Sequence, residues 1–176
     1  GTPHYTDINA GFLQQGFPGY DLDLIGISNV TDVAEQAIAA AEAGADSISV
    51  INTLRAMAID WRTGESRIGT ETGGLSGPAI RPIALRVAME VCRAVKVPVC
   101  AIGGITCAQD ILEFASVGAS LVQVGTHLYR EPGCLPGILT ELRELLASEG
   151  YSSIEAMRGN FDGVRYRLPD RERPVP

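Results

Sequence analysis

Two apolar segments in the middle of the chain end in a way that suits an anion. Val99-Cys100-Ala101-Ile102 runs into Gly103-Gly104-Ile105, and Val122-Gln123-Val124 runs into Gly125-Thr126. A glycine at the end of a strand lets its backbone amide come close to a ligand, because no Cβ stands in the way. Amides of this kind, with the positive end of a following short helix, hold a phosphate group. A third glycine-rich stretch, Thr72-Gly73-Gly74-Leu75-Ser76-Gly77-Pro78, precedes them, and Gly77 can complete the cradle. One such turn is an ordinary loop. Three in consecutive segments make Gly77, Gly103, Gly104, Gly125 and Thr126 candidate phosphate ligands.

Other groups are less specific. Ile51-Asn52-Thr53 closes an earlier apolar segment, and an Asn there offers donors and an acceptor to an imide or a carboxylate. It serves equally well as a turn residue. The two histidines, His4 and His127, share no metal-ligand spacing with any cysteine. His127 reads as a solvated loop residue close to the phosphate candidates. Carboxylates are scattered, with no pair placed for acid–base work. Cys92, Cys100, Cys107 and Cys134 form no CxxC pair. They read as reduced thiols, buried or incidental, which points weakly to the cytoplasm. No metal site and no catalytic residue emerges from the spacing.

These candidates need elements to position them. Residues 1–23, punctuated by Gly11, Gly16, Pro18 and Gly19, show no period and read as an irregular arm. Leu24–Ser28 is a short apolar strand. Thr31 or Asp32 caps a helix that ends at Gly44, and Asp46–Ile51 is the next strand. Residues 57–70, centred on Thr63-Gly64, read as a β-hairpin ahead of the glycine-rich loop. A helix over about 81–95 carries Ala84, Val87, Ala88, Val91 and Val95 on one stripe. Val97–Ile102 is a strand, and Thr106 with Gln109 forms a capping box for a helix ending at Gly118. Ser120–Val124 is the fourth strand, and Leu135–Ala147 the last clear helix. From Tyr151 the chain turns polar and reads as an extension, with Arg165 to Pro176 a tail.

The order is βα, four times over. Ala41-x-x-Gly44-Ala45 with Val50 recurs as Ala115-x-x-Gly118-Ala119 with Val124, a helix end turning into a strand in each copy. Nearly continuous apolar strands belong to parallel sheets covered by helices. The expected fold is α/β, of the (β/α)8 TIM-barrel type, with residues 24–150 supplying about four βα units, a half-barrel. In that fold the loops after the seventh and eighth strands are the usual phosphate site. Four units cannot close a barrel, so either a second copy or a partner chain supplies the rest, or the sequence is an incomplete fragment. An open four-stranded parallel sheet is the other architecture the pattern allows.

Bulk properties narrow the functions. The chain has 176 residues, of which 45% are hydrophobic, 20% charged and 20 glycine. That mixture suits one globular domain. A net charge of -7 and a pI near 4.8 give no general attraction for nucleic acid or an anionic membrane. No apolar run approaches the roughly 20 residues that span a bilayer, and no secretory pattern opens the chain. The chain begins at Gly1 rather than Met, as a fragment or a processed product would.

The residues also resemble a family. Ser49-Val50-Ile51-Asn52-Thr53-Leu54, Ala58-Ile59-Asp60, the run from Gly73 through Gly77-Pro78-Ala79-Ile80-Arg81 to Leu85, Ile102-Gly103-Gly104-Ile105 and Val124-Gly125-Thr126 are similar, in order and spacing, to class 1 dihydroorotate dehydrogenases. The nearest subclass is 1B, the NAD-linked form that works with an iron–sulfur flavoprotein subunit. Coverage runs from about Leu24 to Gly159. The resemblance implies FMN in a (β/α)8 barrel and oxidation of dihydroorotate to orotate in pyrimidine biosynthesis. Carried over by position, Gly103, Gly104, Gly125 and Thr126 hold the FMN phosphate, Ile51 and Gly77 contact the flavin or its ribityl chain, and Asn52 and Thr53 bind the pyrimidine.

Departures matter as much. The family's first half, with its Asn-rich substrate motifs, an FMN-contacting Lys and the loop of the catalytic Cys, has no counterpart here. None of the four cysteines stands in that context. A further family Lys falls at Gly26, and the Pro of its Ser-Pro-Asn-Val-Thr-Asp motif is missing from Ser28-Asn29-Val30-Thr31-Asp32. Losing a general base alone costs about 10²–10⁴ in rate. Two expectations follow: a dehydrogenase completed by another chain or copy, or an inactive half-barrel that still binds phosphate or FMN or serves in assembly. A different phosphate-binding barrel reaction, an isomerase or aldolase, fits the Gly73–Ile80 match poorly.

Overall fold

The computed structural model describes residues 24–26 and 33–163. The arm at 1–23, the caps at Thr31 and Asp32 and the tail from Arg165 lie outside the described residues.

The elements follow in chain order. Strand β1 is Leu24–Gly26, helix α1 Val33–Glu42 and strand β2 Ser47–Val50. Four short strands come next: β3 Leu54–Ala56, β4 Ile59–Asp60, β5 Glu65–Ser66 and β6 Gly73–Leu75. A 3-10 turn at Pro78–Ile80 leads into α2, Arg81–Ala94. Strand β7 is Val99–Ile102, helix α3 Ala108–Ser116 and strand β8 Leu121–Gln123. Helices α4 Thr126–Arg130, α5 Cys134–Ser148 and α6 Ile154–Met157 complete the described chain.

The main sheet has four strands in the order β1-β2-β7-β8, every neighbouring pair parallel. That order never reverses along the chain. Since βαβ crossovers are right-handed, a monotonic order puts all the connecting helices on one face. The packing agrees. Ile48 and Val50 of β2, Val99 and Ala101 of β7 and Val122 of β8 join one apolar cluster with Val33, Ala37, Ala84, Val87, Ala88, Val91, Ile111, Phe114 and Ile138 of the helices. Side chains alternate along a strand, so Ser47, Ser49 and Cys100 belong to the opposite face, and Ser49 and Cys100 are register partners. The helix stripe predicted for α2 is the one observed: Ala84, Val87, Ala88 and Val91 are each fully buried. Pro82 sits in the first turn of α2, where its missing N–H loses no helix bond.

The repeat seen in the sequence has a backbone meaning. Gly44 N–H donates to the Ala41 carbonyl at 3.1 Å and Ala45 N–H to the Ala40 carbonyl at 3.1 Å. Gly118 and Ala119 make the same two bonds to Ala115 and Phe114, at 2.9 and 3.1 Å. Both are Schellman closures, with Gly44 at φ 100° and Gly118 at φ 111°.

Three expectations change. The hairpin at 57–70 is present as β4 and β5, antiparallel, but its base is longer than the sequence suggested. Gly73–Leu75 is a strand, β6, paired with Leu54–Ala56, and not part of a loop. The domain does not end at 150. Helix α6 packs on α3, and Gly159 and Phe161 N–H donate to the Ala115 and Ser116 carbonyls at 2.9 and 3.1 Å. The α3 helix begins at Ala108 behind Cys107, one residue later than a Thr106 cap requires.

Candidate functional site

Because β2, β7 and β8 run parallel as neighbours, their C-terminal ends share one rim. Ile51 follows β2 there, Gly103-Gly104 follows β7, and Gly125-Thr126 follows β8. Ile51 N–H donates to the Ile102 carbonyl at 3.0 Å, which ties the first of these turns to the second.

The spacing at this rim is set by missing side chains. A Cβ on Gly103 would lie 2.6 Å from Ala84 Cβ and 3.7 Å from Ile51 Cγ1. On Gly104 it would lie 2.7 Å from the Gly77 carbonyl oxygen and 2.9 Å from Arg81 Cβ. On Gly77 it would lie 3.6 Å from Thr126 Cγ2, and on Gly125 3.6 Å from Ile102 Cδ1. The structure therefore gathers Ile51, Gly77, Gly103, Gly104, Gly125 and Thr126 into one patch. Gly77 and Gly104 have φ of 81° and 76°, a region costly for any residue with a Cβ.

The patch keeps donors in reserve. Among the described residues, the amides of Gly103, Gly104 and Gly125 donate no backbone hydrogen bond. Gly125 stands as N-cap of α4 with no side-chain cap. The start of α3, by contrast, is already filled. Asp110 Oδ2 accepts from Thr106 N–H at 2.8 Å, from the Thr106 hydroxyl at 2.9 Å and from Cys107 N–H at 3.3 Å. Ala108 N–H donates to Glu141 Oε2 at 3.1 Å. Two carboxylates at that helix start leave no place for an anion.

Asn52 and Thr53 are exposed beside Ile51. Asn52 Oδ1 accepts Thr53 N–H at 2.7 Å, so the turn role is real, and the Asn52 amide NH2 stays available. Thr53 stands against β6, where a Cβ on Gly74 would fall 2.2 Å from its Oγ1. His127 is no loop residue. It lies within α4 with 17% of its side chain exposed, its Nε2 3.8 Å from Glu131 Oε2. Burial pushes the Cys92 and Cys100 thiols up to about 11, so both are poor bases near neutral pH. Among the described residues all four cysteines are free and no group of His, Cys, Asp or Glu could hold a metal ion.

Arg81 and Asp110 are the pair that sequence reasoning missed. Asp110 is 1% exposed, and its Oδ1 forms an ion pair with Arg81 Nη1. Arg81 Nε also lies 3.8 Å from Glu113. The available signal was Asp110 itself, three residues after Cys107, but Cys is an unusual N-cap and Thr106-x-x-Gln109 drew the reading instead.

Comparison with known proteins gives the context. The family model described as Dihydroorotate dehydrogenase matches residues 25–146. The dihydroorotate dehydrogenase B (NAD(+)) catalytic subunit of Trichlorobacter lovleyi is 49% identical over 135 residues, 77% of this chain and 44% of that protein. The subunit of the same name from Geobacter sulfurreducens is 49% identical over 134 residues, 76% of this chain and 44% of its own. The one from Bacillus pumilus is 47% identical over 131 residues, 74% and 42%. The chain spans less than half the length of these curated relatives. Among the described residues no helix is long and apolar enough to cross a membrane. With the family model matching most of its length and relatives near half identical over three quarters of it, the chain belongs to the dihydroorotate dehydrogenase family.

Proposed function

We propose that this chain is the flavin-phosphate-holding part of a B-type dihydroorotate dehydrogenase, an arc of a (β/α)8 barrel completed by a second copy or a partner chain. One observation carries the reading: six residues from four separate segments meet at a single strand-end rim, with glycine amides free to donate. The monotonic parallel order with helices on one face supports the arc, since a doubly wound sheet reverses its order.

The residues present fit a flavin phosphate. A Cβ at Gly104 would fill the cradle, the free amides suit an anion, and the six candidate residues include no carboxylate. Gly103, Gly104, Gly125 and Thr126 would hold the phosphate of FMN, with Ile51 and Gly77 against the ribityl chain or ring. Hydride acceptance during oxidation of dihydroorotate to orotate is the chemistry a bound FMN supplies. Asn52 and Thr53 would orient the pyrimidine, the Asn52 NH2 donating while its Oδ1 is held by Thr53 N–H. Proton removal from the substrate falls to the complementing chain: none of the four cysteines stands in the context of the family's catalytic Cys, and burial holds the Cys92 and Cys100 thiols in their protonated form. Since the relatives are named as catalytic subunits of an NAD(+) enzyme, an iron–sulfur flavoprotein subunit is the further partner, and the setting is cytoplasmic.

A second reading, an inactive half-barrel that binds phosphate, is favoured by Gly26 in β1, where the family resemblance places a Lys. Absorbance separates the two. Purified full-length chain that takes up FMN, with the bound flavin bleached by dihydroorotate once the complementing chain is present, supports the dehydrogenase. FMN uptake without bleaching supports the inactive module, and no FMN uptake refutes both.

A further inference from the structure

Two of the three glycine turns that make the cradle, those at Gly77 and Gly103-Gly104, come from segments far apart in sequence, and their separation has to be set by something. Gly77 leads into α2 and Gly103-Gly104 leads into α3. Among the described residues no hydrogen bond joins the two turns directly. The Gly77 carbonyl accepts only from Ile80 N–H of its own turn, at 3.1 Å. What joins them is one carboxylate. Asp110 Oδ1 takes the guanidinium of Arg81, the first residue of α2. Asp110 Oδ2 takes Thr106 N–H, the Thr106 hydroxyl and Cys107 N–H, which close the turn begun at Gly103.

The tie sits directly behind the cradle. Arg81 Cβ and Arg81 N are 2.9 and 3.1 Å from where a Gly104 Cβ would stand. The residue that answers Asp110 is thus also the one packed most closely against Gly104 from the start of α2. The same pairing takes the Arg81 guanidinium away from ligand duty, since it answers Asp110 and Glu113. A carboxylate this buried is costly unless it is paired and fully hydrogen-bonded, and here both of its oxygens are used. Removing the charge strands Arg81 and slackens both turns together.

We propose that Asp110, acting through Arg81 and Thr106, is a positioning residue that sets the distance between the Gly77 and Gly103-Gly104 turns and so selects ligands that carry a phosphate. Asp110 does not touch the phosphate. This rests on the flavin-phosphate reading above.

The test compares Asp110→Asn and the milder Thr106→Val with the unaltered full-length chain. Dissociation constants for FMN and for riboflavin are read by flavin fluorescence, and hydrogen exchange is followed at the Thr106 and Cys107 amides. The expected result is FMN binding weakened about tenfold or more in Asp110→Asn and less in Thr106→Val, with riboflavin binding unchanged and faster exchange at both amides. Equal weakening of FMN and riboflavin would show a general structural role and overturn the proposal, as would unchanged FMN affinity. Failure of the unaltered chain to bind FMN would sink the flavin reading instead. Inorganic phosphate, followed by amide shifts at Gly103, Gly104 and Gly125, then decides the positioning role. Shifts lost in Thr106→Val, or in Asp110→Asn, support it, and shifts retained in both overturn it. If Asp110→Asn does not fold, Thr106→Val carries the same comparisons, because it keeps the Asp110–Arg81 pair.

Discussion

Gly104→Ala tests the crowding at the rim most directly. Gly104 has φ 76°, and a Cβ there would approach the Gly77 carbonyl oxygen to 2.7 Å and Arg81 Cβ to 2.9 Å. Gly150 is its natural control, with φ 77° and nothing within 4 Å of the corresponding Cβ. Both substitutions force alanine into the left-handed region, at about 1–2 kcal/mol each. Only Gly104→Ala must also push its new Cβ against the Gly77 and Arg81 backbone and the Arg81 Cβ, and overpacking of that kind adds about 1–3 kcal/mol. With a urea slope of about 1–3 kcal/mol per molar, the Gly104→Ala midpoint should fall roughly 1 M below that of Gly150→Ala. Urea unfolding followed by far-UV circular dichroism reads this difference. FMN binding provides the second readout: Gly104→Ala should weaken it strongly and Gly150→Ala should leave it alone. Equal midpoints for the two variants would refute the close approach, and with it the argument that a missing side chain shapes the cradle.

Other outcomes follow from the same structure. Gly74→Ala should disturb the β3–β6 ladder, because its Cβ would meet both Thr53 Oγ1 and, at 2.8 Å, Thr53 Cβ; adding Thr53→Ala should restore only part of the loss of about 1–3 kcal/mol in urea unfolding, since the Thr53 Cβ remains. Gly118→Ala should cost more than Gly44→Ala, since only the former meets another side chain, Cys92 Cβ at 3.0 Å; thermal midpoints of the pair check it. Cys92 and Cys100 keep their protons in the folded state up to about 11, against 9.0 for a free thiol. Their contribution to stability is therefore intact below about pH 9 and lost as pH rises through 11. Urea midpoints at rising alkaline pH should fall, and replacing both residues by Ala should flatten that fall. On the proposed function, Asn52→Ala should weaken binding of the pyrimidine by about 1–3 kcal/mol, through lost hydrogen bonds, while FMN binding stays unchanged; equilibrium titration separates the two ligands.

Much of this was legible in the residues because glycine and apolar period speak locally. The strand ends expected at Ile51, Ile102 and Val124 fall at Val50, Ile102 and Gln123, within one residue, and like the α2 stripe they required no long-range information. The rest depended on contacts between distant segments. Gly73-Gly74-Leu75 reads as a loop by composition and becomes a strand only because Leu54-Arg55-Ala56 lies opposite it. Asp110 carries no signal of its own in the sequence, because its partner Arg81 comes from α2. His127 was read by its neighbours Gly125 and Thr126, and its place in α4 was not visible from them. The polar run after Tyr151 suggested solvent, but Met157 is buried and the backbone of Gly159 and Phe161 finds carbonyls on α3.

The glycine closures at Gly44 and Gly118 bear on how a piece of a larger fold can hold together. Gly150 repeats the arrangement after α5, its N–H on the Ala147 carbonyl at 3.2 Å and Tyr151 N–H on the Leu146 carbonyl at 2.9 Å. These three helices are thus stopped by residues immediately behind them in sequence, and at the end of α3 the Ala115 and Ser116 carbonyls accept in addition from Gly159 and Phe161 N–H. The punctuation travels with the unit. In a chain that spans less than half the length of its relatives, the three helices closed in this way carry their stop signals with them.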